Sequence, residues 1–146
     1  MSSRVAIVHG VNLDQLGRRP AEHYGGISFN DLERRIDAFA REIDLEPRFF
    51  QTNDESELIG HLHRLGDMVD GIIINPGAWT HYSWAIRDAL EIAALPAIEV
   101  HLSDVENREE WRRVSVIRDL CVATVAGRGV DGYRDALQLM KRELDG

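Results

Sequence analysis

GIIINPGAWTHYSWAIRDALEIAALPAIEVHLS, residues 71–103, is the stretch that decides the fold. Gly71 to Asn75 is a short apolar run, the pattern of a strand covered on both faces. Asn75-Pro76-Gly77 stops it. From roughly Tyr82 to Ala94 the apolar residues return at helical spacing. After Pro96 a second apolar run, AIEVHL, ends near Ser103. A strand, a helix and a second strand in immediate succession predict a parallel crossover, since an antiparallel pair needs only a tight turn.

The same alternation extends outward in both directions. Val5 to Val8 is a buried-type strand ending at His9-Gly10, Pro47 to Thr52 a second strand, and Val122 to Ala126 a fifth. Ser28 caps a helix that carries Leu32, Ile36, Phe39, Ala40 and Ile43 on one face. Ser56 to Leu65 turns Leu58, Ile59, Leu62 and Leu65 inward. Val130, Tyr133, Leu137, Met140 and Leu144 mark a final helix, and the polar stretch 106–113 a short one. Residues 10–27, glycine-rich and containing Pro20, read as a loop. Five strands alternating with helices, without repeats or a linker, predict one α/β domain over residues 1–146. The expected fold is a flavodoxin-like, doubly wound, five-stranded parallel sheet of order 2-1-3-4-5.

Composition narrows the chemistry. The 146 residues carry a formal net charge of -8 and no basic run, which argues against a nucleic-acid partner. No apolar run approaches the roughly 20 residues that span a bilayer, and the N-terminus lacks signal-peptide anatomy, so a cytoplasmic location is expected. The lone Cys121 lies in an apolar stretch and reads as a core thiol rather than a nucleophile. Of the 17 basic residues only Lys141 is lysine, which sets imine catalysis aside. Phosphate-cradle, nucleophile-elbow and zinc motifs are missing. His61 and His63, two apart in a helical pattern, diverge too far to share a metal. Trp79, Trp84 and Trp111 read as core or contact residues.

In a sheet of this order ligands bind beyond the carboxyl ends of the strands, near the point where strand order reverses. Asn12 after strand one, Asn75 at the end of strand three, and His101 and Ser103 at the end of strand four converge there. Glu99 and His101, two apart on a strand, share a face, and a carboxylate beside an imidazole favours its protonated form. A structural ion pair has the same spacing. In the loop Gly17 to Gly26, glycines at both ends suit a hinged lid, and Arg19 can meet Tyr24 if the chain folds back. From the residues alone, a solvated basic loop with a packing tyrosine is the favoured reading.

The segments VHGVNLDQLGRRPAEHYG (8–25), FQTNDESEL (50–58), IIINPGAWTHYSWAIRDAL (72–90) and EVHLSDVENREEWR (99–112) together resemble the type II 3-dehydroquinate dehydratases in order and spacing, from Val5 to about Tyr133. The resemblance implies dehydration of 3-dehydroquinate to 3-dehydroshikimate through an enolate, by anti elimination, with neither metal nor organic cofactor. It implies that Tyr24 is a phenolate base activated by Arg19. It implies too that Asn12 holds a water that stabilises the enolate, and that His101, backed by Glu99, protonates the departing hydroxyl. It assigns substrate binding to Asn75, His81, Ser103 and Arg112, and the substrate carboxylate to the backbone around Leu102 and Ser103. It further implies that Asp88 reaches a neighbouring subunit's site, in a dodecamer built from trimers. The chain departs from the family pattern at Val11, at Pro20-Ala21, at Thr52 to Ser56, at Asp104 (which adds negative charge where an anion should bind) and over residues 113–126. These departures leave open a lyase for another polyhydroxy cyclic ketone, or a silent carboxylate-binding paralogue.

Overall fold

In the computed structural model, which describes residues 2–146, five parallel strands form one sheet in the order β2-β1-β3-β4-β5. They are β1 (Ser3–His9), β2 (Leu45–Gln51), β3 (Gly71–Asn75), β4 (Ala97–His101) and β5 (Ala123–Ala126). The helices are α1 (Ala21–Tyr24), α2 (Phe29–Glu42), α3 (Glu55–Leu65), α4 (Trp84–Ala93) and α5 (Asp131–Asp145).

Strand alternation explains why helices cover both faces. Val5, Ile7, Ile73, Ile98 and Val100 point to one side and pack with Leu32 and Ile36 of α2 and Tyr133 and Leu137 of α5. Ala6, Val8, Ile72, Ile74 and Ala97 point to the other, against Leu58 and Leu62 of α3 and Ile86 and Leu90 of α4. Ile72, Ile73 and Ile74 are all fully buried. Each such side chain contributes on the order of 2 kcal/mol relative to exposure. A central strand of this kind cannot carry alternating polar residues, which is why its sequence is a continuous apolar run.

The caps differ little from the sequence expectation. Ser28 Oγ accepts the Asp31 N–H at 3.1 Å and starts α2. Helix α3 begins a residue earlier than expected, because Asp54 accepts the N–H groups of Ser56 and Glu57 at 2.9 and 3.3 Å. Ser83 caps α4 through the Ile86 N–H. Strand β2 runs through Pro47 rather than starting there. It is an edge strand with β1 as its one partner, so a missing N–H is tolerated.

Two expectations are corrected. Residues 10–27 are not an unstructured loop: a 3-10 segment at Leu13–Arg18 is followed by α1. Pro20 stands immediately before α1 with φ −55°, an angle already suited to a helix start. Likewise 106–113 is not one helix but two 3-10 turns, Val105–Asn107 and Glu110–Arg113. Among the described residues no helix is long and apolar enough to cross a membrane.

Candidate active site

The carboxyl ends of β1, β3 and β4 frame a cavity of about 270 Å³. Its floor depends on a close approach of two strands. The Gly10 N–H donates to the Asn75 carbonyl at 2.7 Å, and a Cβ at Gly10 would lie 2.2 Å from the Pro76 carbonyl oxygen. Gly77 adopts φ +67°, and a Cβ there would lie 2.6 Å from the Val11 carbonyl oxygen, so glycine is required there on two counts. Asn75 Oδ1 accepts the Gly77 N–H at 3.0 Å and fixes the turn that follows β3.

Over this floor the 3-10 segment and α1 bring the chain back on itself. Arg19 Nη2 donates to the Tyr24 hydroxyl oxygen at 2.7 Å, and its guanidinium sits 4.4 Å from the ring centroid. A second guanidinium arrives from a segment distant in sequence: Arg108 Nη1 donates to the same oxygen at 2.7 Å and reaches Ser103 Oγ at 3.3 Å. Guanidinium groups have only donors, so both place positive charge at one phenolic oxygen. Arg108 was not singled out from the sequence. It lies in the EVHLSDVENREEWR segment, but nothing in its spacing foretells an 84-residue reach to Tyr24.

His101 carries the second cluster. Its Nε2 is 2.6 Å from Glu99 Oε2, which also accepts the Thr80 hydroxyl at 2.6 Å, while Glu99 Oε1 accepts the Ser115 hydroxyl at 2.7 Å. Burial by itself would raise the Glu99 carboxyl. The hydrogen bond and charge of His101 and the two hydroxyl donors outweigh it and hold the carboxyl below its ordinary value. Thr80 was likewise not anticipated, although it stands inside the NPGAWTH segment. The divergent segment 113–126 keeps the contact that matters here, through Ser115.

His81 Nδ1 donates to the Val114 carbonyl at 2.6 Å. Burial lowers its basicity, and nearby His101 and Arg112 add to that against the Val114 bond, so neutral His81 is left with Nε2 as an acceptor. Arg112, held by Glu109 at 3.1 Å and lying 4.2 Å from the Trp111 ring centroid, joins Arg19 in lining the cavity. No Asp or Glu lines it among the described residues, so its field favours an anion.

The residues expected from the sequence therefore fall into three groups. Asn12, Arg19, Tyr24, Asn75, His81, His101, Leu102, Ser103 and Arg112 all line the one cavity. Glu99 stands behind His101, fully buried. Asp88 is on the exposed face of α4, away from this cavity. Asp104, the residue after Ser103, does not itself line the cavity: its carboxylate accepts from the Asn107 amide, and its Cβ lies against Gly127. Cys121 is part-buried at the rim of the second core, where burial together with the charges of Glu99 and Asp119 pushes its thiol up to about 12. Trp79 is core, whereas Trp84 and Trp111 are exposed.

Comparison with known proteins decides the family. The profile of the family described as Dehydroquinase class II matches residues 3–141. The chain belongs to the class II dehydroquinases. It is similar to a 3-dehydroquinate dehydratase of Thermotoga petrophila, 47% identical over 142 residues that span 97% of each protein. Among solved structures it is similar to the type II dehydroquinase of Propionibacterium acnes, with TM-score 0.92, 39% identity and coverage of 97% and 98% of the two chains. The type II dehydroquinase of Butyrivibrio crossotus gives TM-score 0.91 at 35% identity and 99% coverage of both. Both alignments run over nearly the whole chain, so the likeness extends to the whole fold.

Proposed function

We propose that this class II dehydroquinase converts 3-dehydroquinate to 3-dehydroshikimate and water, and that the cavity described above is where it does so. The observation that carries the reading is the pairing of a phenolic oxygen between two guanidinium groups with a carboxylate-backed imidazole in the same small pocket.

The reaction needs opposite services at neighbouring carbons. Tyr24, as phenolate stabilised by Arg19 and Arg108, takes the proton from C2, alpha to the ring ketone. The electron pair moves onto the ketone oxygen, and a water held by Asn12 stabilises the enolate. The enolate then collapses, C1=C2 forms, and the C1 hydroxyl leaves as water after accepting a proton from His101. Glu99 keeps the imidazole oriented and balances its charge. Asn75, His81 as acceptor, Ser103 and Arg112 hold the ring hydroxyls, and the amides at Leu102 and Ser103 take the carboxylate. No step calls for a metal or an organic cofactor.

The same reading covers assembly and place. Asp88, exposed on α4, contributes to the site of a neighbouring copy in a dodecamer built from trimers, and the enzyme works in the cytoplasm, in aromatic biosynthesis or quinate breakdown. The test is direct. Purified protein mixed with 3-dehydroquinate gives the absorbance of a conjugated enone, and Tyr24→Phe and His101→Ala each lose it by about 10²-fold or more while remaining folded. Undiminished turnover in both variants overturns the assignment.

A further inference from the structure

Asn12 is held in a backbone conformation that it does not prefer. Its φ is 68°, in the left-handed region, where the Cβ of an L-residue crowds the following carbonyl oxygen. Asparagine tolerates this better than most residues but does not enforce it, so the turn depends on what surrounds it.

Three side chains hold it, and none lines the cavity. Asn53, in the turn between β2 and α3, accepts the Asn12 N–H on Oδ1 at 2.8 Å. Its Nδ2 donates to both carboxylate oxygens of Asp14, at 3.3 and 3.2 Å. Gln51, the last residue of β2, donates to the Gly10 carbonyl at 3.2 Å and to Asn53 Oδ1 at 3.3 Å. An amide can present either end to a neighbour. Here the Asp14 carboxylate accepts only, so the nitrogen is committed to it and the oxygen is left for Asn12. The edge strand β2, through Gln51, and the turn after it, through Asn53, thus fasten both ends of the turn that follows β1.

We propose that Asn53, oriented by Asp14 and braced by Gln51, is a positioning residue that fixes the left-handed turn at Asn12 and so aims the Asn12 side chain into the cavity. The inference rests on the role given above to Asn12. It adds that the edge strand β2, which contributes no wall to the pocket, sets the geometry of enolate stabilisation.

The test uses full-length protein, with hydrogen exchange at the Asn12 amide and steady-state turnover of 3-dehydroquinate as separate readouts. Asn53→Ala raises Asn12 exchange about tenfold and lowers kcat about tenfold, with KM within about twofold, the pattern of a misplaced transition-state contact. Asn53→Asp keeps an acceptor for Asn12 but sets two carboxylates face to face, and kcat falls again. Adding Asp14→Asn to Asn53→Asp restores a donor–acceptor pair with its polarity reversed, and kcat returns to within about twofold of the starting protein. Residues with a purely structural role would lower thermal stability without the kcat-selective loss and without the rescue. Unchanged Asn12 exchange in Asn53→Ala, or a double variant no better than Asn53→Asp, overturns the proposal. Should Asn53→Ala fail to fold, the aspartate variant and its rescue decide alone. If the unmutated protein does not turn over 3-dehydroquinate, the reaction assignment falls, and the exchange readout still judges the clamp.

Discussion

At Glu99 a fully buried carboxylate sits on a central strand with three donors converging on its two oxygens: the His101 ring, the Thr80 hydroxyl and the Ser115 hydroxyl. The two-residue spacing in EVH already placed Glu99 and His101 on one face of a strand. The hydroxyl partners come from elements 16 and 19 residues away and were not legible in the same way. Removing one member of such a set leaves buried polar groups facing an unsuitable partner. Glu99→Gln presents an amide nitrogen to groups that donate, and the expected cost is about 3 kcal/mol in chemical denaturation. Turnover should fall with it, since the imidazole loses both its orientation and its counter-charge. Wild-type stability in Glu99→Gln would mean that the hydroxyls, rather than the charge, organise this cluster.

Among the elements, the turns that end β1 and β3 pack backbone against backbone. The strands were readable from their apolar runs, and His9-Gly10 and Pro76-Gly77 from turn chemistry. That the two turns press against each other follows only from strand order, which makes β1 and β3 neighbours. Gly10→Ala would drive a methyl into the Pro76 backbone, which cannot swing aside as a side chain can. We expect a loss of about 3 kcal/mol, at the upper end for an added methyl group. Gly17→Ala, where a Cβ meets nothing within 4 Å, is the control and should change stability by less than about 0.5 kcal/mol. Paired urea titrations of the two variants measure the difference. The segment from Leu13 to Tyr24 teaches the reverse lesson. Its glycines and proline signalled a loop, but short-range hydrogen bonds such as Tyr24 N–H to the Pro20 carbonyl at 3.1 Å wind it into turns that deliver Arg19 and Tyr24 together.

For the molecule as a whole, the buried site makes stability depend on pH in one direction. Glu99 is held below its ordinary value of 4.5, so its contribution is present above that value and is lost as pH falls through the lowered one. His81 is held below 6.5, chiefly by burial. The unfolded chain therefore takes up the His81 proton before the native one does, and stability declines once pH drops beneath 6.5. Both effects have the same sign, so acid destabilises in two stages, the first from His81 together with His61, whose basicity burial also lowers, and the second, below 4.5, from Glu99. Melting temperatures measured from pH 8 to pH 3.5 should show the two stages. Glu99→Gln should flatten the lower one, and His81→Asn should reduce the upper to the part that His61 supplies. A melting temperature that rises on acidification would contradict both assignments.

By itself the sequence determined the periodicities: apolar runs that can only be central strands, helix faces with their caps, and turn residues that stop each strand. Those are local properties, set by side-chain spacing and backbone preference; their alternation implied a doubly wound parallel sheet, for which the order 2-1-3-4-5 is the economical expectation, and with it the edge at which the polar residues gather. Tertiary structure decided which groups meet across distance. Arg108 reaching Tyr24, Thr80 and Ser115 enclosing Glu99, Asp104 turned to Asn107, and Asn53 holding Asn12 are contacts between segments that no spacing rule relates. Their physical cause is the packing of separate elements around the ends of β1, β3 and β4, where side chains from distant parts of the chain must satisfy one another's charge and hydrogen bonds.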